Sequence, residues 1–427
     1  IHMTGDSGDG FVFGAGSTGS FLQGLEVSGF ARGVMVMADG ITIGTDCDVA
    51  FDARERNVIY DSSVFDIRIE EASETLVRGN YLGVRSDGVT AESLSGSEAV
   101  SIFGAEADDN TIGYVEGTSG VCSLELQRNI IGAAGDVSGI RIESGAPNIE
   151  DGDALLAPDN VRVSGNHIGI GVDGASNIAG MGSGVDLRRG ATLNIIGNDG
   201  DGIDDDLEGN LIANWGANGV LVFRTGFNRI AGNTIVDNAL HGILARGTEN
   251  TIQQNVTGNN AANGIRIGAG CNGCLVYGNF VGTDDLDGAD LGNGEAGIYV
   301  HPGLSGVRVG GSETGQGNRV SFNGEGGIVI DGLFCFGSAC TADREPTTDF
   351  LVEGNTVTNN DLFGIQILGT DVSSSGTPGT GTVRDNTVEN NNGVGIALEA
   401  ASPIVQNNEA SSNTSYGIQI LSGYSDS

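Results

Sequence analysis

Residues 232–267 read GNTIVDNALHGILARGTENTIQQNVTGNNAANGIRI and hold one pattern said twice. Asn233 is followed nine residues later by Gly242-Ile243, and Asn255 nine residues later by Gly264-Ile265. The two asparagines stand 22 apart. Short apolar alternations at a fixed period in the twenties, with no helical stripe, mark stacked strands rather than a single globular core.

The same spacing extends outward in both directions. An asparagine column reads Asn57, Asn80, Asn129, Asn166, Asn210, Asn233, Asn255, Asn279, Asn318, Asn355, Asn386 and Asn408. A second, five residues on, reads Asn238, Asn260, Asn323, Asn360, Asn391 and Asn413. Stacked asparagines at a turn can pass amide hydrogen bonds from coil to coil, so both columns are read as structural. The period-two alternation of Gly-[Ile/Val]-x-[Ile/Val/Leu] makes each piece a strand with one buried face. Gly 74 against Pro 6 then reads as turn glycines needing positive φ.

Loops interrupt the coils. They are expected near 45–56, 83–97, 114–128, 145–159, 169–183, 198–209, 282–296, 333–349 and 369–381. Ile1-His2-Met3 reads as a tag remnant, and residues 4–427 as one domain, since no linker divides them.

The pattern, from about Gly24 to Ile420, resembles the right-handed parallel β-helix repeat of the pectate-lyase-like superfamily. The resemblance implies an all-β solenoid of about a dozen or more coils. That superfamily spans lyases, glycoside hydrolases, epimerases, phage spikes and adhesins, so fold does not fix activity.

The formal net charge is -37, and all 19 basic residues are arginine. Such a surface repels phosphate backbones and anionic lipid, which argues against nucleic acid and membrane as partners. No apolar run is long enough to span a bilayer. Six cysteines in loops, Cys47, Cys122, Cys271, Cys274, Cys335 and Cys340, point to an oxidising, extracellular setting. Cys271-Asn-Gly-Cys274 and Cys335 to Cys340 could each close on a disulfide; zinc at Cys271-x-x-Cys274 is the weaker alternative.

In Gly-Ile-x-Ile-x the isoleucines point in and each x points out. Coil by coil the outward pairs include Asp186/Arg188, Leu221/Phe223, Leu244/Arg246, Arg266/Gly268, Tyr299/His301 and Val329/Asp331. With coils about 4.8 Å apart, Arg246, Arg266, Tyr299, His301 and Asp331 form one polar patch. Elimination on a uronic-acid polymer needs a cation for the carboxylate and a base for the C5 proton. Arg246 or Arg266 fits the first role, and Tyr299 or His301 the second. Arg188, Asp186 and Phe223 are the candidate substrate-binding residues on the same face.

The chain departs from the resembled enzymes. Lyases of the superfamily commonly use a lysine or arginine base, and this chain has no lysine. The compact acid motifs of the galacturonan hydrolases are missing. Asp186 and Asp331 lie too many coils apart to act as a carboxylate pair. His167 reads as packing, His241 as an exposed turn, and Trp215 as turn packing rather than a sugar platform.

Residues 198–208 give the strongest cation signal. With Gly202 as the sixth position of a calcium loop, Asp199, Asp201, Asp205 and Glu208 fall at three, five, nine and twelve. The first position, Gly197, has no side-chain ligand, so the match to Ca²⁺ is partial. Asp284, Asp285, Asp287 and Asp290 form a second acidic loop, and Asp46, Asp48 and Asp52 a third. Asp87, Asp173 and Asp287 each precede a turn glycine, which an ordinary Asp-Gly turn explains.

The sequence is therefore expected to encode an extracellular protein that binds or degrades polysaccharide, with a lyase reaction on an acidic glycan as the fitting chemistry. The alternative is a non-enzymatic cell-surface, adhesion or structural solenoid. The repeat carries no signal of oligomeric state.

Overall fold

The computed structural model describes residues 1–48, 52–92, 97–132, 135, 137–145, 157–284, 288–332, 346–369 and 380–421. The chain divides into two compact units, Ile1–Ala239 and Leu240–Ser427. Both are built from the same coil. Three short strands follow one another, and each lands in its own parallel sheet.

In the first unit one sheet runs from His2–Thr4 to Thr234–Val236, a second from Asp9–Phe13 to Val220–Phe223, and a third from Phe21–Leu22 to Arg229–Ala231. The second unit repeats the order. Its second-sheet strands run from Ile243–Arg246 to Ile418–Leu421, its third from Thr251–Gln253 to Ile404–Gln406, and its first from Val256–Gly258 to Glu409–Ser411. The 41 described strands, three to a coil, make between thirteen and fourteen coils, as the asparagine spacing implies. His2–Thr4 is itself a strand, paired with Glu26–Ser28. The described residues include one four-residue α-helix, Leu124–Gln127, and no helix long and apolar enough to cross a membrane.

Alternation sets the core. Ile67, Ile69, Val100, Ile102, Ile140, Ile142, Val185 and Leu187 point inward in successive second-sheet strands, and all are fully buried. Each such side chain contributes about 1.5–3 kcal/mol relative to an exposed one.

Both asparagine ladders form. The Nδ2 of Asn57 donates to the Oδ1 of Asn80 at 3.0 Å, and Asn80 to Asn129 at 3.2 Å. In the second unit the same bond links Asn318 to Asn355 at 2.9 Å. The second ladder passes from Asn260 through Asn293 to Asn323 at 2.9 Å per step. Asn293 belongs to it although an inserted loop displaces it from the regular spacing.

One glycine expectation needs correcting. Gly264 does not have positive φ. Its requirement is space: a Cβ there would lie 2.6 Å from Val281 Cγ1 and 2.9 Å from the Gly297 carbonyl of the next coil. Positive φ does hold at Gly197 (φ +95°), one of the loop-departure glycines. At Asp66 the crowded column carries a side chain instead, and its carboxyl is buried.

Two of the inserted loops are hairpins, closed by the antiparallel bridges Val84↔Ala91 and Ile170↔Asn177. They stack on one another through Val172 N–H to the Gly88 carbonyl, 2.9 Å. Asp87 and Asp173 each cap their turn by accepting from backbone N–H groups two and three residues on, as expected.

Cys47 is bonded to Cys122, and Cys271 to Cys274. The second pairing replaces the zinc alternative, because a disulfide sulfur is not a thiolate ligand. Cys335, Cys340, Asp285 and Asp287 lie outside the described residues.

Candidate functional site

The outward face of the second sheet carries the predicted patch. In the second unit Ile298 and Val300 are buried, which turns Tyr299 outward. Arg266 is its partner on the preceding coil and Val329 on the following one. The guanidinium carbon of Arg266 lies 4.6 Å from the Tyr299 ring centroid. On the other side the Tyr299 hydroxyl donates to Asp331 Oδ2.

His301 and Asp331 extend their strands. Their backbone N–H groups donate to Ile267 and Val300 carbonyls at 2.8 and 2.9 Å. Thr347 Oγ1 lies 3.1 Å from the His301 carbonyl and 2.9 Å from that of Asp331, tying the strand ends together. His301 Nδ1 is 2.8 Å from the Pro302 carbonyl. A carbonyl only accepts, so Nδ1 is the donor in this contact and Nε2 points away from it. Gly268 leaves room for Arg246: a Cβ there would come within 2.8 Å of Arg246 Cγ.

The structure corrects the reading of His241 as an exposed turn. The ring is half-buried. Burial, then the charges of Arg266 and Arg246, push its pKa down to about 4. Its Nδ1 accepts from the Asn263 N–H at 3.2 Å, and Asn263 Nδ2 donates to Glu295 Oε2 at 2.6 Å. His241 is thus a neutral ring beside two arginines, backed by an amide and a carboxylate. Asn263 and Glu295 were missed because neither lies in the Gly-Ile-x-Ile columns; the register of Ile243 opposite Ile265 is the signal that places Asn263 beside His241.

In the first unit the same face is closed upon itself. Asp186 is fully buried, and both its oxygens lie 2.8 Å from Arg188 Nε. Ser138 Oγ donates to Asp186 at 3.2 Å. Arg141 sits 2.6 Å from Glu98 and 3.7 Å from Asp186. Glu98, missed by the sequence reading, is buried, and that burial raises its pKa. Phe223 is half-buried, opposite Arg188 in the next strand.

Of the tempting single residues, Trp215 is fully buried, with Nε1 donating to the Ile168 carbonyl at 3.2 Å, so it is packing. His167 lies between Ile130 and Leu211, and burial lowers its pKa.

The predicted calcium loop is split. Asp199, Asp201 and Asp205 bring carboxylate oxygens within 4.8 Å of one another. Glu208 instead groups with Glu116 and Asp199, where its carboxylate accepts from the Asp199 N–H at 3.0 Å. Arg162 stands against this second group, in contact with Asp199 and 3.0 Å from Glu116. Burial pushes Glu208 up to about 7. Asp199, Asp201 and Asp205 could hold a hard cation, and Arg162 would then stand beside it as a competing positive charge. The neighbouring Asp204 is committed elsewhere, accepting from Tyr114 at 2.8 Å and Ser119 at 3.0 Å.

No curated protein matches the chain in sequence. Residues 292–427 match the family described as right handed beta helix region. Among solved structures, the A-module of the mannuronan C-5 epimerase AlgE4 from Azotobacter vinelandii is similar at 14% identity, over 96% of this chain and 92% of that one, with a TM-score of 0.50. The AlgE6 A-module from the same organism is similar at 14% identity, over 92% and 91%, with a TM-score of 0.42. The catalytic domain of a GH87 alpha-1,3-glucanase is similar at 12%, over 97% and 64%, with a TM-score of 0.38. The matched helix region, the likeness in fold and the parallel strand columns make this chain a right-handed parallel β-helix repeat protein.

Proposed function

We propose that the protein is extracellular and acts on an acidic polysaccharide laid across the second-sheet face of its second unit. The observation that carries this reading is Tyr299 held between Arg266 and Asp331. Arg266 would pair with a uronate carboxylate and acidify the adjacent C5–H. Tyr299, relieved of its proton by Asp331, or His301 through Nε2, would take that proton. Breaking the C4–O bond as the C4–C5 double bond forms, with the residue that took the proton returning it to the leaving oxygen, then gives a lyase product. Returning a proton from the opposite face gives an epimer, the reaction that the name of the AlgE4 module describes. The Cys47–Cys122 and Cys271–Cys274 disulfides support a secreted location, and calcium at Asp199, Asp201 and Asp205 would stabilise the first unit.

A specific observation favours a second reading for the first unit. There Glu98, Arg141, Asp186 and Arg188 neutralise each other, which suits a structural or adhesive surface rather than a catalytic one. The test is incubation with alginate, pectate and glycosaminoglycans, with and without calcium. Ultraviolet absorbance reports unsaturated ends, and proton NMR reports inverted C5 centres. Neither signal on any polymer would discard the enzymatic reading and leave the adhesive one.

A further inference from the structure

The third sheet of the second unit carries a cleft on its outward face, on a different sheet from Tyr299. Val276, Val309 and Val352 are fully buried, so their neighbours along each strand point out. One outward column runs through Leu275, Arg308 and Leu351, the other through Tyr277, Gly310 and Glu353. Gly310 bears no side chain, and a Cβ there would lie 2.0 Å from the Glu353 carbonyl of the next coil. The second column therefore has a gap between Tyr277 and Glu353, about 9–10 Å across at two strand spacings. Residues 311–316 border the gap and are held in place: the Gly278 N–H donates to the Gln316 carbonyl at 2.9 Å, and the Glu313 N–H to Gln316 Oε1 at 3.2 Å. The result is a cleft of about 230 Å³ whose walls include Leu275, Tyr277, Arg308, Gln316, Leu351 and Glu353.

This lining has the chemistry of a site for one anionic sugar ring. Tyr277 and the two leucines give an apolar wall, and Gln316 gives an amide edge. Glu353 is buried and already neutralised, with Oε1 2.7 Å from Arg384 Nη2. Arg308 is exposed, and no carboxylate among the described residues pairs with its guanidinium. On a chain with 56 acidic residues against 19 basic ones, that leaves this cleft with a local surplus of positive charge. A larger cleft of about 490 Å³ adjoins it at Gly311, Ser312 and Glu353 but is also lined by Glu313 and Asp385, so the surplus belongs to the smaller one.

We infer that the smaller cleft is a second, non-catalytic glycan site that takes one uronate unit, with the sugar ring over Tyr277 and its carboxylate on Arg308. Such a site holds acidic polymer on the solenoid whether or not the second-sheet face turns it over.

The test uses the full chain carrying Arg266→Gln, which removes a cation of the second-sheet face. Isothermal titration with trimers of galacturonate, mannuronate and guluronate should show one trimer bound per chain for at least one of them, with neutral maltotriose at least tenfold weaker. Adding Arg308→Gln should lower that affinity by about tenfold or more, the worth of a hydrogen bond to a charged group. Tyr277→Ala should do the same, whereas Tyr277→Phe keeps the ring and the binding. If Tyr277→Ala loses its fold by circular dichroism, Arg308→Gln, whose residue is exposed, decides alone. No acidic trimer bound by the Arg266→Gln protein, maltotriose bound equally well, or unchanged affinity in the folded Arg308→Gln variant overturns the inference. Turnover at Tyr299 is read separately on the wild-type chain, so either reading can fail without the other.

Discussion

The guanidinium carbon of Arg266 sits 4.6 Å from the ring centroid of Tyr299, one coil away on the same outward column. The stack fixes the ring through its face and leaves the phenol oxygen to Asp331. Stacking and proton exchange are therefore separable by mutation. Tyr299→Phe keeps the stack and removes the hydroxyl. It should lower turnover on an acidic polysaccharide by about 10²–10⁴-fold while changing stability by less than ~1 kcal/mol. Steady-state rates and urea melts of the two proteins check this.

Asp66 gives a pH prediction. Burial pushes its carboxyl up to about 8. In the unfolded chain it titrates near 4. Between those values the unfolded state has lost its proton and the folded state still holds it. Stability from this group is thus full below pH ~4 and falls as pH rises towards ~8. Asp66→Asn should flatten that decline. Urea unfolding of both proteins from pH 4 to 9 measures the difference, and parallel curves would assign the decline to other groups.

The ladder predicts a large local cost. Asn360 accepts from Asn323 Nδ2 at 2.9 Å and donates to Asn391 Oδ1 at 2.9 Å, fully buried. Asn360→Ala strands polar groups on both neighbouring coils. A loss of about 2–4 kcal/mol is expected from leaving buried partners unmet. Chemical denaturation reads it directly.

The two disulfides among the described residues should differ in weight. Cys47–Cys122 spans 75 residues, and Cys271–Cys274 spans 3. By loop-closure entropy, the paired serine replacement of the first should cost about 4 kcal/mol and that of the second about 2. Thermal melts of the two double variants rank them.

Arg162 should compete with a cation at the 199–205 loop, because it contacts Asp199. Arg162→Gln is expected to raise terbium or calcium affinity there by about tenfold, since one opposing charge near the ligand is worth on the order of 1 kcal/mol or more. Luminescence titration of wild type and variant reports the change.

The architecture was legible because its signals repeat. A single Asn-x-Ile means nothing, but asparagines at Asn318, Asn355 and Asn386, each with Gly-Ile or Gly-Val nine residues on, reveal a coil. Alternation then gave the outward faces of Arg266, Tyr299 and Asp331, which the register reproduces. What stayed hidden does not repeat. His241 looked exposed because burial there comes from neighbouring coils, beyond the reach of local pattern. Asn293 was concealed by the loop ahead of it. Glu208 matched a linear calcium spacing but turns towards Glu116, nearly a hundred residues away in sequence. The glycines were recognised as necessary, though for Gly264 the reason is the wall of the next coil rather than its own backbone angle.

The asparagine rows also have a direction. Within each unit, every linking amide gives its proton forward to the next coil and receives one from behind, as from Asn57 to Asn80 and from Asn355 to Asn386. The amide dipoles therefore point the same way and add along the row. The ends of the first row are closed by backbone groups: Asn57 Oδ1 accepts the Leu25 N–H at 3.1 Å, and Asn408 Nδ2 donates to the Val383 carbonyl at 2.8 Å. The row therefore begins on an acceptor and ends on a donor, so its two ends are chemically unlike.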